Sequence, residues 1–132
     1  MRLSVSIALL ALFTSLFFQS CEKDAGEGGN SSIRGYVHVT DYNSTFLVVQ
    51  GEYPGADEYV YIIYGNDVSY GDRIRTSPDG TFEFKYLREG KYTIYVYQDD
   101  TTLSGQSVVA RNVEINKKKQ SVDLGRIDIK KQ

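Results

Sequence analysis

Residues 91–98 read KYTIYVYQ, and this stretch decides the fold class. Along it, two kinds of side chain alternate with a period of two, which is the pattern of a β-strand with one buried face. Successive side chains of a strand point to opposite faces of its sheet. The stretch therefore predicts a strand with Tyr92, Ile94 and Val96 on the buried face and Thr93, Tyr95 and Tyr97 on the outer face.

The same alternation recurs along the chain, and turn-forming residues separate the runs. It is seen in residues 33–40 (IRGYVHVT), 59–64 (YVYIIY) and 81–86 (TFEFKY). Pro and Gly in residues 77–80 (SPDG) and 88–90 (REG) predict turns that close hairpins, and residues 116–119 (NKKK) form a further polar tip. Since no run after residue 32 has helical spacing, we expect an all-β fold, a single antiparallel β-sandwich of about seven to eight strands over residues 33–132.

Composition excludes several classes of protein. The 132 residues include 11 Tyr and 6 Phe but no Trp, and their length suits one domain. One Cys excludes an intramolecular disulfide and a multi-cysteine zinc site, and one His excludes His-rich metal chemistry. The net charge is −2, whereas nucleic-acid binding requires a basic surface, so we expect no nucleic-acid partner.

The first 20 residues have the pattern of an export signal. Arg2 precedes an apolar run over residues 3–18, which is too short and too poorly flanked for a membrane-spanning helix. Cys21 stands at the expected processing point. It is either an incidental free thiol after an ordinary signal peptide or a modified residue. A lone thiol in an exported protein is a liability, which argues for modification.

Residues 17–21 (FFQSC) resemble the lipoprotein box of bacterial, Bacteroidota-type lipoproteins, although Phe18 replaces the usual aliphatic residue. The resemblance implies that residues 1–20 are a lipoprotein signal peptide and that Cys21 is lipidated and becomes the N-terminus. It also implies a membrane anchor in the cell envelope, in the outer membrane, with surface exposure suggested by the acidic residues after Cys21. Residues 21–32 are rich in Gly, Ser and charge and are expected to form a flexible tether.

A second resemblance covers roughly residues 33–99. Ile33, Gly35 and Val37 open it, and residues 76–84 (TSPDGTFEF) and 90–94 (GKYTI) follow. These motifs resemble the carboxypeptidase regulatory-like domain, which implies a transthyretin-like (prealbumin-like) sandwich. The longer connection over residues 41–57 departs from the family pattern. The motifs concern turns and core and supply no reactive group, so the fold they imply does not give a function.

Residues that could carry catalysis or bind a metal are few. His38 is expected at the surface or a sheet edge, because no Ser or Cys nucleophile motif accompanies it. The adjacent carboxylates Asp57 and Glu58, and Asp99 and Asp100, should point to opposite faces and so cannot act together across a cleft. No calcium-loop series occurs. We therefore expect no enzyme activity, no cofactor and no metal.

The tyrosines give the one candidate binding surface. If Val60 and Ile62 face the core, Tyr59 and Tyr61 face outward, and Tyr95 and Tyr97 do so by the same parity. In one sheet, these four rings would form an exposed aromatic surface suited to a sugar or a protein partner. The other interpretation is that tyrosines are simply good strand residues, and scattered surface apolar residues need no explanation, so the sequence favours it.

Three functions remain open at this point. The leading hypothesis is a non-enzymatic, lipid-anchored envelope lipoprotein that binds a protein partner or glycan through its tyrosines. The alternative is a structural, fimbria-like or accessory lipoprotein that assembles by strand addition. An enzyme with an unrecognised site is third. The lysines at residues 117–119 and 130–131 could touch phosphates or lipid headgroups but are expected to be solubilising charges.

Overall fold

A computed structural model describes residues 24–100 and 105–132, and the regular structure within these residues is entirely β-strand. The prediction of an all-β fold with seven to eight strands is confirmed. No helix that could span a membrane occurs in this described part of the chain. The eight strands are β1 (Glu27–Tyr42), β2 (Val49–Pro54), β3 (Tyr59–Tyr64), β4 (Asp72–Arg75), β5 (Thr81–Leu87), β6 (Gly90–Asp100), β7 (Gly105–Ile115) and β8 (Ser121–Lys131).

The strands form two four-stranded sheets around one core. In sheet A, β1 is central: it pairs with β8 along one side, and with β5 and then β2 along the other. Sheet B has the order β4-β3-β6-β7. Every pair is antiparallel except β1 with β8, which is parallel. The expectation of a wholly antiparallel sandwich is wrong for this pair, because the chain crosses from sheet B to sheet A between β7 and β8.

The two turns that the sequence placed in hairpins connect the two sheets instead, and so does the polar tip at residues 116–119. Residues 77–80 link β4 to β5, residues 88–89 link β5 to β6, and residues 116–120 link β7 to β8, and each link leaves one sheet for the other. The turn chemistry itself is as expected, since the Gly80 N–H donates to the Ser77 carbonyl at 2.8 Å. A turn motif fixes a reversal of the chain but not the sheet that the next strand joins.

Strand β1 begins earlier than predicted. The expected tether extended to Ser32, whereas β1 starts at Glu27 and pairs with β5 through Glu27–Leu87 and Ser31–Leu87. Ser31 is buried and accepts a hydrogen bond from the Gln120 N–H at 3.0 Å. Gly- and Ser-rich composition therefore does not make residues 27–32 a linker here, because Glu27 and Ser31 pair with β5 and Ser32 pairs with β8, with an irregular stretch over residues 28–30.

The core lies between the sheets and follows the predicted period of two. Tyr92, Ile94 and Val96 are each no more than 1% exposed, as the alternation of residues 91–98 requires. A Cβ at Gly35 would lie 2.7 Å from Cζ of the Phe82 ring, so this position makes room for an aromatic side chain. The remaining buried apolar residues are Ile33, Val37, Val39, Val60, Ile62, Phe84, Leu87, Val113, Ile115, Ile127 and Ile129.

Strand directions sort the connections into two ends of the sandwich. The start of β1, the β3–β4 loop, the β5–β6 turn and the β7–β8 loop lie at one end, which we call the N-terminal end. The first residue of the β3–β4 loop is bound to β6, since the Gly65 N–H donates to the Lys91 carbonyl at 2.8 Å. The opposite end carries the β1–β2 hairpin, the β4–β5 turn and the end of β8.

Candidate binding surface

The structure brings the four predicted tyrosines together on the outer face of sheet B. Strands β3 and β6 are neighbours, and Tyr61 lies directly opposite Tyr95. Val60 and Ile62 are fully buried, which turns Tyr59 and Tyr61 outward as the parity argument expected. The placement of the rings thus agrees with the sequence, whereas their role in binding stays a prediction.

Tyr61 is the centre of the ring cluster. Its ring is stacked on that of Tyr95, with centroids 4.9 Å apart and planes 8° from parallel. Tyr97 meets the Tyr61 ring at 89° and 5.4 Å, and it meets the Tyr95 ring at 84° and 5.7 Å. Tyr59 lies 6.2 Å from Tyr61. Edge-to-face and offset-stacked geometries of this kind are the favourable ones for aromatic pairs, so the rings hold each other in fixed positions.

Tyr70 belongs to the cluster, and the sequence analysis missed it. Its ring meets that of Tyr61 at 73°, with centroids 5.0 Å apart. Tyr70 sits in the β3–β4 loop, where the next residue, Gly71, donates its N–H to the Ile62 carbonyl at 2.9 Å and so pins the loop to the sheet. A loop tyrosine outside any alternating run gives no sequence signal of its own, because only the loop's path places it over β3.

Two arginines on β4 flank the rings and were also missed. The guanidinium carbons of Arg73 and Arg75 lie 4.6 and 4.3 Å from the centroid of the Tyr59 ring, within cation–π range. Arg75 donates to Asp57 at 2.6 Å and to the Tyr59 hydroxyl at 2.7 Å. The alternation R-I-R in residues 73–75, with Ile74 packed against the core, was the available signal for a short edge strand.

These contacts fix the charge and protonation of the surface. The hydrogen bond to Asp57 is the main reason why the pKa of Arg75 is raised, and Tyr59 adds to it. A hydrogen bond with the Tyr61 side chain raises the pKa of Arg73 in the same way. Burial raises the pKa of Tyr95. At neutral pH the two guanidinium groups are therefore cationic and the Tyr95 hydroxyl beside them is neutral.

The five rings are not equally accessible to a ligand. We call them the tyrosine face: Tyr59, Tyr61, Tyr70, Tyr95 and Tyr97. Tyr61 and Tyr95 each cover one side of the other, and both arginines lie over Tyr59. Tyr70 and Tyr97 are the exposed members, at 45% and 38%. A tyrosine offers a flat apolar ring and a polar tip, so Tyr70 and Tyr97 are placed to contact a ligand while Tyr61 and Tyr95 position them.

His38 lies on the outer face of sheet A, whereas the tyrosine face lies on the outer face of sheet B. Only 14% of its side chain is exposed, which is less than a surface residue would show. Its Nδ1 is 3.5 Å from the Tyr36 hydroxyl, and its Nε2 is 3.8 Å from Glu52 Oε1. This arrangement lacks the Ser or Cys nucleophile that a catalytic histidine activates.

The adjacent carboxylates bind different partners. Asp57 pairs with Arg75, and Glu58 pairs with Lys131 at 3.1 Å, so the two side chains diverge as expected. The side chain of Asp99 accepts a hydrogen bond from the Gln132 N–H at 2.9 Å. Within residues 24–100 and 105–132, no three His, Cys, Asp or Glu side chains come close enough to hold a metal ion. Cys21, the predicted lipidation site, and the predicted signal peptide lie outside the described residues.

Comparison with known proteins gives one family and several similar folds. The family model described as polysaccharide lyase family 4, domain II, matches residues 47–122. No curated protein sequence matches significantly. A candidate carbohydrate-binding protein from Pseudomonas aeruginosa is 13% identical with a TM-score of 0.48, and the alignment covers 81% of this chain and 92% of that one.

Two further solved structures are similar in fold. An (S)-allantoin synthase is 9% identical with a TM-score of 0.43, and the alignment covers 75% of this chain and 42% of that one. A minor pilin from Streptococcus agalactiae is 14% identical with a TM-score of 0.41, over 78% of this chain and 46% of that one. At these identities and scores the three structures carry no argument about function.

Proposed function

Because the chain belongs to the family described as polysaccharide lyase family 4, domain II, we propose that it is a non-enzymatic domain that binds a glycan through the tyrosine face. The observation that carries the proposal is the pair of exposed rings, Tyr70 and Tyr97, both set edge-to-face against Tyr61. The family description refers to enzymes of polysaccharides, which favours a glycan over a protein partner. A protein partner is the second outcome of the test below.

Each residue of the tyrosine face has a distinct role in this proposal. Tyr70 and Tyr97 supply apolar ring surface and hydroxyl groups to the sugar. Tyr61 and Tyr95 contact the sugar less and hold the outer rings at fixed angles. Arg73, whose side chain forms no ion pair within the described residues, offers guanidinium donors to sugar oxygens beside them. Arg75 is already engaged by Asp57 and Tyr59.

A glycan array followed by calorimetric titration of the full chain tests the proposal. We expect one glycan class to bind, and we expect Tyr97→Ala and Tyr70→Ala each to weaken that binding by about tenfold or more, as for an aromatic anchor at an interface. Tyr53→Ala is the matched control, because Tyr53 is 44% exposed, almost as much as Tyr70, but lies on β2 of sheet A. Its affinity should equal that of the unaltered chain.

Two results would contradict the proposal. If all three variants bind the glycan equally well, the site lies elsewhere on the domain. If no glycan binds but a purified envelope protein does, and Tyr97→Ala abolishes that contact, the tyrosine face is a protein interface. Catalytic turnover of a bound glycan, lost on substitution of an Asp or of His38, would revive the hypothesis of an enzyme.

Lipid anchoring is the second part of the proposal. Residues 1–20 would be a lipoprotein signal peptide, Cys21 would carry the lipid, and the domain would be held at the cell envelope, in the outer membrane and exposed at its surface. The box-like residues 17–21 support this. The finer resemblance to a carboxypeptidase regulatory-like, transthyretin-like sandwich also stays a prediction, since the matching model is a different family.

Assembly by strand addition receives less support from two of the sheet edges, β2 and β4, than from the 11-residue edge strands β7 and β8. Strand β2 ends in Pro54 and has a register shift between the pairs Asp41–Gly51 and Tyr42–Val49. Strand β4 has only four residues. Proline, bulges and short length are the usual features that prevent pairing at a sheet edge.

A further inference from the structure

We infer that the N-terminal end of the sandwich faces the membrane, with the β7–β8 loop lysines Lys117, Lys118 and Lys119 against anionic phospholipid headgroups. The inference deepens the proposed lipid anchoring at Cys21 and rests on it. It goes further by naming which surface of the domain meets the bilayer and which lipid chemistry that surface recognises.

The first argument is that Gly26, just before β1, is hydrogen-bonded to this end of the sandwich, in contacts that we call the clasp. The Gly26 N–H donates to the buried Tyr92 hydroxyl at 2.9 Å, and that hydroxyl donates to the Arg88 carbonyl at 2.6 Å. The Arg88 N–H in turn donates to the Gly26 carbonyl at 2.8 Å. Gly26 follows Cys21 by five positions in the sequence, and five steps of fully extended chain span no more than about 18 Å. A lipid at Cys21 would therefore keep this end close to the bilayer.

The second argument is that the lysine loop is fixed beside that clasp. The Lys119 N–H donates to Asn30 Oδ1 at 3.0 Å, and the Ser31 hydroxyl donates to the Lys117 carbonyl at 3.2 Å, so the loop is tied to the first residues of β1. Gln120 Oε1 accepts the Asn116 N–H at 2.8 Å. The three lysine side chains are exposed and form no ion pair within residues 24–100 and 105–132.

The third argument is the contrast in charge between the two ends. A lysine near an anionic bilayer is attracted to the headgroups, so three lysines in one loop act together to orient a small domain. The N-terminal end also carries acidic residues, so its charge is close to balanced and its positive charge is concentrated in the lysine loop. Its acidic residues are Asp24, Glu27, Asp67, Asp72, Glu89 and Glu114, against Arg88, Lys91, Lys117, Lys118 and Lys119. The opposite end carries more acidic than basic residues: Asp41, Glu52, Asp57, Glu58, Asp79, Asp99 and Asp100, against Arg75, Lys130 and Lys131.

Exposed apolar residues occur at both ends, so charge decides between them. Val68, in the β3–β4 loop of the N-terminal end, is fully exposed, and Leu47, at the tip of the β1–β2 hairpin, is 84% exposed. Leu47 lies at the acidic end, at the far end of β1 from the clasp. An anionic surface repels that end more strongly, whereas Val68 lies at the same end of the sandwich as the lysine loop, next to Asp67.

The test uses the absence of tryptophan from the chain. Two variants of the full chain, Val68→Trp and Leu47→Trp, are reconstituted into phosphatidylcholine vesicles with or without phosphatidylglycerol. All vesicles contain brominated lipid, which quenches tryptophan fluorescence on contact. We expect quenching at position 68 in the anionic vesicles, at least twofold more than in neutral ones, and little at position 47. Both positions are highly exposed and apolar, and they lie at opposite ends of the sandwich, so the comparison shows which end meets the bilayer.

Charge reversal separates headgroup recognition from anchoring alone. K117E, K118E and K119E together, in the Val68→Trp chain, should remove the extra quenching in anionic vesicles, while flotation shows that the chain stays on the vesicles. Equal quenching in neutral vesicles, or quenching at position 47 in place of 68, would overturn the inference and leave the anchor intact. Failure to float would instead refute the lipid anchoring, and neither result alters the glycan test at the tyrosine face.

Discussion

Tyr92 is the residue whose hydroxyl matters most to the fold. It is 1% exposed, and its hydroxyl joins Gly26 to Arg88 at the N-terminal end. Tyr92→Phe keeps the ring in the core but leaves the Gly26 N–H and the Arg88 carbonyl without this partner. We expect the free energy of unfolding to fall by about 1–3 kcal/mol, the cost of an unsatisfied buried polar group, as measured by urea denaturation.

Tyr97→Phe is the control for this prediction. The Tyr97 hydroxyl belongs to an exposed side chain on the same strand, so its loss should change stability by less than about 0.5 kcal/mol. Equal stability losses in the two variants would show that the Tyr92 hydroxyl has no special role. They would also remove the clasp from the argument for a membrane-facing end.

At this scale the sequence predicts orientation well and partners poorly. The period of two correctly placed Tyr92 in the core and Tyr95 outside, because parity depends only on local backbone geometry. It could not show that Tyr70 reaches Tyr61, since that contact depends on the path of a loop. Nor could it show that the hydroxyl of Tyr92 meets Gly26, 66 residues away in the chain.

At the scale of the element, the start of β1 depends on close approach to β5. A Cβ at Gly29 would overlap the carbonyl group of Leu87. Gly29→Ala must therefore push the first residues of β1 away from the sheet, and we expect a loss of about 1–3 kcal/mol in urea denaturation, typical of overpacking. Hydrogen exchange should rise in residues 27–32 but not in β6.

Gly51→Ala is the control, because a Cβ at that position on β2 would meet no heavy atom within 4 Å. Its stability should stay within about 0.5 kcal/mol of the unaltered chain. If Gly29→Ala is as stable as Gly51→Ala, residues 27–32 behave as the flexible tether that their composition suggests. The sequence could not exclude that, because low hydrophobicity is typical of linkers and also of short, backbone-paired strand ends.

At the scale of the whole molecule, the last strand closes the sandwich on the first. Ile127 of β8 is fully buried and lies opposite Val37 of β1 in the one parallel pair. Neither turn chemistry nor alternation indicates which strands pair over this distance, so the sequence predicted the sandwich but not its closure. Since both sheets share one core, we expect Ile127→Ala to cost about 2–5 kcal/mol and to weaken the distant tyrosine face as well.

Denaturation followed at two wavelengths measures this coupling. Far-UV circular dichroism reports the strands, and near-UV circular dichroism reports the packed aromatic rings, of which the cluster around Tyr61 has the most ring contacts. A single cooperative unit gives the same midpoint by both signals. Arg126→Ala, at the exposed neighbouring position, removes only a surface ion pair with Asp128 and should cost less than about 1 kcal/mol. If Ile127→Ala lowers the far-UV midpoint while the near-UV midpoint stays, sheet B holds the tyrosine face without sheet A.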